Sequence, residues 1–191
     1  VVSDLIQTEK KYEIAIETAL GGSIQNIVTE DEDTAKKMIA YLKDTAGETP
    51  FLLRYPDEVN FTEEGERSLL QSRSDDPSVV MLNAWVGGKL AGNCTLTPKG
   101  ARRKICHRAN VSIALRKAYW GLGLGKALLT RVLTLAKELG YEQVELEVIS
   151  GNDRALGLYQ RMGFVQTGCM PNAFQYDDGT YRDEIQMVRR V

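Results

Sequence analysis

The sequence predicts an α/β protein in which helices flank a mixed β-sheet, and three observations carry that prediction. Apolar runs of strand length recur along the chain, and Gly87-Gly88 joins two of them as a two-residue hairpin turn. Segments with an apolar stripe at helical spacing alternate with these runs. Near residue 115 a strand-like run leads through a glycine-rich turn into a long amphipathic segment. Strands and helices that alternate in this way are typical of a sheet covered by helices.

Turn residues and charge order set the boundaries of the first elements. A strand over residues 1–6 precedes a helix over Glu9–Leu20, which ends at a pair of glycines. After a short strand at Ile24–Val28, residues 29–43 carry acids early and lysines late, as suits the dipole of a helix. A further helix over Thr62–Arg73 ends before Asp75-Asp76-Pro77, because the residue before a proline disfavours helical geometry.

The middle of the chain predicts three consecutive antiparallel strands. Val79–Val86 and Lys89–Leu96 flank the Gly87-Gly88 turn, and Lys104–Leu115 follows a second turn. The helix after the glycine-rich turn runs to about Leu139. The remaining predicted elements are the strand Gln143–Val148, the helix Asn152–Met162 and the strands Phe164–Met170 and Tyr181–Val188.

The glycine-rich turn predicts a binding site for an anion, most simply a phosphate group. Gly121, Gly123 and Gly125 alternate there, and glycine both accepts positive φ and lets a ligand approach the backbone. A helix that starts at this turn presents unpaired N–H groups and the positive end of its dipole. The spacing excludes two nucleotide motifs. Trp120 stands where a P-loop needs glycine, and Lys126 stands where a dinucleotide fingerprint needs glycine or alanine.

The turn does resemble motif A of the GCN5-related (GNAT) N-acetyltransferases, Gln/Arg-x-x-Gly-x-Gly/Ala, which holds the pyrophosphate of acetyl-CoA. Trp120 departs from that motif at its Gln/Arg position. The resemblance implies that the backbone of the preceding strand pairs with the pantetheine arm. The cofactor-contacting residues that it implies in this region are Ile113, Ala114, Leu115, Trp120, Gly121, Leu122, Gly123, Leu124, Gly125 and Lys126.

A second segment, EVISGNDRALGLYQRMGF, resembles the next motif of the same family, Asn-x-x-Ala-x-x-Leu-Tyr followed by Gly-Phe. Asn152 matches the residue expected to bond the pantetheine arm, and Tyr159 matches the residue near the sulfur. The resemblance therefore implies a mostly antiparallel sheet with a splayed strand pair for acetyl-CoA, and Tyr159 as the acid that protonates the thiolate. A helix N-cap at Asn152 and a core tyrosine at Tyr159 are the structural alternatives.

Several residues are candidates for the general base. His107, the only histidine of the chain, could accept a proton from an acceptor ammonium, because imidazole titrates near neutrality. An exposed histidine in a polar turn is the other interpretation. Glu145 and Glu147 on the following strand are rivals, although their same-face spacing is also typical of a solvated strand face.

Composition limits the classes of partner. The formal net charge of −2 argues against a protein that coats nucleic acid or an anionic membrane. No apolar run reaches the length of a membrane span and no signal peptide is visible, so we expect a cytoplasmic protein with its three cysteines as free thiols. The cysteines are widely spaced and there is one histidine, a pattern that predicts no metal site.

The N-terminus carries a separate resemblance. Residues 11–43, KYEIAIETALGGSIQNIVTEDEDTAKKMIAYLK, resemble the opening of a chromosome-maintenance (SMC) hinge domain, and most of a hinge is missing. We therefore expect an acetyltransferase domain at residues 27–191 and an N-terminal extension at residues 1–26. The extension would be an addition at the surface of that domain, or it would mediate the formation of a homodimer.

The leading functional hypothesis is an N-acetyltransferase that moves an acetyl group from acetyl-CoA to a small amine or a peptide N-terminus, without a metal. A module that senses acyl-CoA without turnover, or that only mediates assembly, is the alternative. Asn152 and Tyr159 favour the enzyme, because a sensor needs a phosphate site but no acid for the thiolate.

Overall fold

A computed structural model describes residues 22–26 and 32–191 of the chain. The predicted strand 1–6 and helix Glu9–Leu20 lie outside these ranges. The elements in chain order are β1 (Gly22–Asn26), α1 (Glu32–Glu48), α2 (Glu63–Asp75), β2 (Val80–Val86), β3 (Lys89–Pro98), β4 (Arg108–Leu115), α3 (Leu124–Glu138), β5 (Gln143–Ile149), α4 (Asp153–Arg161), β6 (Val165–Gln175) and β7 (Tyr181–Arg190). Short 3₁₀ turns at Pro56–Glu58 and Lys117–Tyr119 precede α2 and α3.

The strands form one mixed sheet in the order β1-β2-β3-β4-β5-β7-β6. Each neighbouring pair is antiparallel except β4 and β5, which are parallel. The prediction of a mixed, mostly antiparallel sheet flanked by helices is confirmed. β1 belongs to the segment predicted as an N-terminal extension, and it pairs along its whole length with β2, from Gly22 opposite Val86 to Asn26 opposite Leu82.

The parallel pair β4 and β5 separates soon after it begins. The two strands are in register only from Arg108 opposite Gln143 to Asn110 opposite Glu145. β4 then continues to Leu115 beside β3, and β5 continues to Ile149 beside β7. This fork is the splayed pair that the family resemblance implies, and it leaves the edge of β4 beyond Asn110 without a strand partner.

Two hydrophobic cores cover the two faces of the sheet. The larger core packs α3 and α4 against one face, with Leu96, Val111, Leu128 and Leu146 among its buried members. On the other face, Met38 and Tyr41 of α1 and Leu70 of α2 pack on the strands beneath them. Alternation along the strands explains the division, because neighbouring residues such as Met81 and Leu82 point to opposite faces.

Three boundaries differ by four residues or more from the predicted ones. β4 begins at Arg108 and not at Lys104, because backbone bonds such as Ile105 N–H to Arg102 O close the preceding residues into local turns. α1 continues past Lys43 to Glu48, and the Thr45 hydroxyl in its last turns donates to the Tyr41 carbonyl at 2.8 Å. β6 extends beyond Met170 to Gln175 through an irregular stretch of its pairing with β7.

Candidate active site

A cavity of about 830 Å³ opens where β4 and β5 diverge. It brings together most of the residues implicated by the sequence, from the end of β4, the glycine-rich turn and α4. These residues are Ile113, Ala114, Leu115, Trp120, Gly121, Gly123, Leu124, Gly125, Lys126, Asn152 and Tyr159. Leu122 does not line the cavity, and it is 50% exposed. The alternating pattern of the turn directs its side chain outward.

The glycine-rich turn has the conformation that its sequence predicts. Gly121 and Gly123 adopt φ of 80° and 84°, in the left-handed region that favours glycine. Gly123 caps α3, and the first turn of that helix is closed by the bond from Ala127 N–H to the Gly123 carbonyl. The amides of Leu124, Gly125 and Lys126 precede this bond, so they have no partner within the helix. The turn therefore offers backbone donors at the positive end of a 15-residue helix.

Gly125 lies in a closely packed position. A Cβ atom at this position would lie 3.1 Å from Leu158 Cδ2 and 3.2 Å from Leu115 Cδ1. These distances are tighter than most side-chain contacts, so both leucine side chains would have to shift to admit a larger residue. The missing side chain thus lets the start of α3 sit against both β4 and α4, and it brings the free amides to the end of the fork.

Trp120 occupies the motif position where glutamine or arginine is expected. Its indole Nε1–H donates to the Leu115 carbonyl at 2.9 Å, which fixes the ring against the end of β4. The guanidinium of Arg154, in the first turn of α4, lies over this ring with its carbon 5.2 Å from the ring centre. Sequence reasoning missed Arg154, although it stands inside the second motif.

Asn152 is the N-cap of α4. Its Oδ1 accepts a hydrogen bond from Ala155 N–H at 3.2 Å. The residue also lines the cavity, so its amide nitrogen remains available there. Capping and ligand contact are therefore compatible roles for one side chain, because they use different atoms.

Tyr159 lies on the face of α4 that meets the sheet, with 7% of its surface exposed. Its ring contacts Phe164 edge to face, with 5.9 Å between centroids, and the residue lines the cavity. Burial is the main cause that raises the pKa of the Tyr159 phenol, and Cys94 adds to the shift. The hydroxyl is therefore protonated at neutral pH and can act as a proton donor.

The structure does not bring His107 to the cavity. His107 lies just before β4, where its carbonyl accepts from the backbone N–H groups of Glu142 and Gln143 at 2.9 and 3.2 Å. A strand rises about 3.3 Å per residue, so His107 is roughly 20 Å from Ile113 along β4. This placement separates the histidine from Tyr159 and from the glycine-rich turn.

Glu145 and Glu147 lie on the sheet face opposite α3, and neither lines the cavity. Arg108 holds Glu145 in a bidentate pair, in which Nε donates to Oε1 and Nη2 donates to Oε2 at 2.8 Å. The hydrogen bond from Arg108 is the main cause that lowers the pKa of Glu145 to about 2, and Gln143 also donates to this carboxylate. Glu147 makes one ion pair, with Lys99 at 3.3 Å, and its side chain is 37% exposed.

The loop between α1 and α2 closes one side of the cavity. Thr49, Phe51 and Leu52 line the cavity. The β6–β7 hairpin holds this loop in place, because the Tyr176 hydroxyl donates to the Pro50 carbonyl at 2.7 Å. The loop and the hairpin are distant in sequence, so no local pattern predicted their contact.

Other features bear on the chemistry of the chain. Cys94, Cys106 and Cys169 are unbridged, and Cys94 is buried. Over residues 22–26 and 32–191, no group of three His, Cys, Asp or Glu side chains is placed to hold a metal ion. In the same part of the chain, no helix has the length and apolar character needed to cross a membrane.

Comparison with known sequences finds two families. The SMC flexible hinge domain matches residues 1–68. The chromosome partition protein Smc of Halothermothrix orenii is 55% identical to this chain over 47 residues, which are 25% of this chain and 4% of that protein. The chain thus spans only a small part of the curated relatives that it matches at this end.

Solved structures match almost the whole chain. The acetyltransferase of GNAT family from Streptococcus pneumoniae is 26% identical with a TM-score of 0.82, over 89% of this chain and 99% of that one. The GNAT superfamily phosphinothricin acetyltransferase from Sinorhizobium meliloti, solved in complex with AcCoA, is 17% identical with a TM-score of 0.75. That match covers 89% of this chain and 88% of the other.

The acetyltransferase (GNAT) family model matches residues 36–164, which is more than half of the chain. The match includes the fork between β4 and β5, the glycine-rich turn and α4. The two family matches overlap at residues 36–68, so both include most of α1 and the first part of α2. On the family match, the sheet topology and the cavity, this chain belongs to the GNAT acetyltransferase family.

Proposed function

We propose that the chain transfers an acetyl group from acetyl-CoA to a primary amine, either a small molecule or a peptide N-terminus. The observation that supports this most is the cavity at the fork, which combines free amides of the glycine-rich turn with the buried hydroxyl of Tyr159. Donors for a phosphate group and a proton donor that line one cavity suit a thioester that carries a long phosphorylated arm.

The residues of the cavity fit acetyl-CoA, which supplies the acetyl group as a thioester. A Cβ at Gly123 would meet no atom within 4 Å, so the turn leaves open space above its amides. The unpaired edge of β4 offers backbone groups from Ile113 to Leu115 for the amides of the pantetheine arm. An N–H of this edge would also polarise the thioester oxygen. The side-chain amide nitrogen of Asn152, which lines the same cavity, provides a further donor.

Tyr159 is the proposed general acid. As the amine nitrogen bonds to the acetyl carbon, the carbon–sulfur bond breaks and the sulfur needs a proton. Burial keeps the Tyr159 phenol protonated, and its hydroxyl makes no hydrogen bond with any group in the described part of the chain. The proton that it gives to sulfur can be replaced from solvent after the products leave.

Glu147 is the proposed general base, in preference to His107 and Glu145. It lies two residues beyond the last pairing of β4 with β5, so along the strands it is further into the fork than Glu145 or His107. Glu145 is a weak base, because Arg108 keeps its pKa near 2. His107 is too distant along β4 to share an acceptor with Tyr159.

The cofactor assignment is tested by binding. Acetyl-CoA and CoA should each raise the melting temperature of the wild type by mass action. Gly123→Asp should abolish the shift, because it puts negative charge at the phosphate position and strains a residue with φ of 84°. Gly179→Asp, at another left-handed glycine on the β6–β7 turn, is the matched control and should retain the shift. Normal binding by Gly123→Asp would show that the phosphate site is elsewhere.

The base is tested by pH–rate profiles once an acceptor is known. Glu147→Gln should lower kcat/KM by about 10²-fold, the usual scale for loss of a positioned base. The loss should be largest at acidic to neutral pH, where the amine is mostly protonated and needs a base. His107→Gln should leave the profile unchanged. The reverse result, a loss with His107→Gln alone, would contradict the choice of Glu147.

A further inference from the structure

The glycine-rich turn lacks the polar side chain that its motif normally supplies. Trp120 stands at that position, and its only polar hydrogen is used in the bond to the Leu115 carbonyl. An indole has no charge, so it cannot form an ion pair with a phosphate group. Lys126, in the first turn of α3, is the cation that the turn region itself brings to the cavity, so a cation on the side of Trp120 must come from another element.

Arg154 is placed to be that cation. Its guanidinium lies over the Trp120 ring, 5.2 Å from the ring centre, where cation–π attraction and stacking hold it. A Cβ at Gly121 would be 4.0 Å from Arg154 Nη1, so the guanidinium also reaches the turn itself. Because Trp120 is fixed to the end of β4, the stack links α4 to the turn across the mouth of the cavity.

The position of Arg154 at the start of its helix is electrostatically unfavourable for a cation unless an anion lies nearby. Arg154 is the second residue of α4, where the positive end of the helix dipole disfavours a cation. Within residues 32–191 it makes no ion pair with a carboxylate. Lys126 and Arg161 line the same cavity, and Asp153 is its one acidic residue. A bound phosphate group would balance this excess of positive charge.

We propose that Arg154, held on the face of Trp120, binds the diphosphate of acetyl-CoA in place of the glutamine or arginine of the motif. The inference rests on the proposed function, since it assumes that the turn holds this ligand. Trp120 is then a platform that orients the guanidinium, and the two residues act as a pair. The amides of the turn and the fork between β4 and β5 keep the roles described above.

The test is calorimetric binding of CoA, dephospho-CoA and pantetheine to wild type and Arg154→Gln. A charge-assisted contact to phosphate predicts about 10- to 100-fold weaker binding of CoA and dephospho-CoA to the variant. Pantetheine has no phosphate, so its affinity should not change. Arg102→Gln, in the exposed turn before β4, removes the same charge outside the cavity and should bind like wild type.

The outcomes separate the inference from the proposed function. Absence of CoA binding by the wild type would refute the proposed function itself. Tight binding by wild type and Arg154→Gln alike would refute only the role of Arg154. A loss confined to CoA, with dephospho-CoA unaffected, would assign Arg154 to the 3′-phosphate and overturn the diphosphate assignment. Equal losses in Arg102→Gln would indicate long-range charge and not contact.

A charge exchange tests the pairing of the two residues. Trp120→Arg restores the motif side chain, so the double variant Trp120→Arg/Arg154→Gln should bind CoA within about threefold of wild type, a smaller change than loss of one charged contact. If the double variant binds as weakly as Arg154→Gln alone, position 120 does not supply a cation to the same group, and the proposed substitution of one residue for the other is wrong.

Discussion

At the scale of single residues, two carboxylates on one strand have different properties because of their partners. Glu145 is 7% exposed and is bound by Arg108 and Gln143. Among the described residues, Glu147, two residues further, has Lys99 as its ion-pair partner, and Lys99 also pairs with Glu145. The first carboxylate joins β4 to β5 just before the fork, and the second is the more exposed of the two. Two glutamates on one strand thus have separate roles, Glu145 in the structure and Glu147 in the proposed chemistry.

The lowered pKa of Glu145 predicts a specific loss of stability in acid. Its carboxylate titrates near 2 in the folded chain and near 4.5 when unfolded, so its ion pair stabilises the fold at neutral pH. The stabilisation, on the order of 2 kcal/mol after allowance for the half-exposed Arg108, is lost as pH falls from about 4.5 to about 2. Glu145→Gln should therefore be less stable than wild type at pH 7, and the difference should vanish near pH 2.

Urea unfolding at several pH values measures this difference. Glu142→Gln, at an exposed residue next to β5, is the control and should follow the wild type throughout. A Glu145→Gln variant whose stability parallels that of the wild type from pH 7 to pH 2 would show that the ion pair contributes nothing.

Residues carried by a local motif could be predicted from the sequence, and residues brought in by tertiary contact could not. The spacing of Gly121, Gly123 and Gly125 specifies a turn before a helix, and the structure has that turn. Arg154 reaches Trp120 only because α4 packs beside the turn. His107 was a candidate from its residue type and from its position before the cofactor-contacting segment of β4, and in the structure it does not line the cavity.

At the scale of elements, α1 braces the strand and turn that form the cavity. The Tyr41 hydroxyl, buried under α1, donates to the Ala114 carbonyl at 2.7 Å. One turn further, Asp44 pairs with Arg116, and the Glu48 carboxylate accepts from the backbone N–H of Lys117. α1 lies within the segment that matches the SMC hinge. That segment therefore contributes directly to the support of the fork.

Tyr41→Phe tests this brace. Removal of the hydroxyl leaves the Ala114 carbonyl without its partner in a buried site, which should lower the free energy of unfolding by about 1–3 kcal/mol. The affinity for acetyl-CoA should fall as well, because the end of β4 is less firmly held. Tyr181→Phe, at a half-exposed tyrosine on β7, should change neither quantity. Unfolding free energies equal to wild type in Tyr41→Phe would exclude a structural role for this bond.

The pattern of elements was predictable where periodicity is strong, as in the β2–β3 hairpin and in α3. Boundaries at polar segments were not. The start of β4 was misplaced because Lys104 and its neighbours bond locally, an alternative that alternation of residue types does not exclude. The end of α1 was misplaced because Glu48 gains its contact with the backbone N–H of Lys117 only in the folded chain.

At the scale of the whole molecule, one sheet joins two sequence families. β1 and α1 lie in the hinge-like segment, and they complete a sheet whose fork, turn and α4 carry the GNAT motifs. The fork itself was implied by family resemblance and not by residue pattern. Two parallel strands that separate after three paired residues leave no mark on local periodicity.

The most direct test of the proposed acetyl transfer is release of the CoA thiol from acetyl-CoA with a panel of amines and peptides, for wild type and Tyr159→Phe. The substitution retains the buried ring and removes only the hydroxyl, which acts as the thioester breaks. Tyr141→Phe, another buried tyrosine outside the cavity, is the control. We expect wild-type turnover with an amine, unchanged acetyl-CoA affinity in Tyr159→Phe, and kcat lower by about 10²-fold. Full kcat in Tyr159→Phe, with chemistry rate-limiting, would contradict the proposed mechanism.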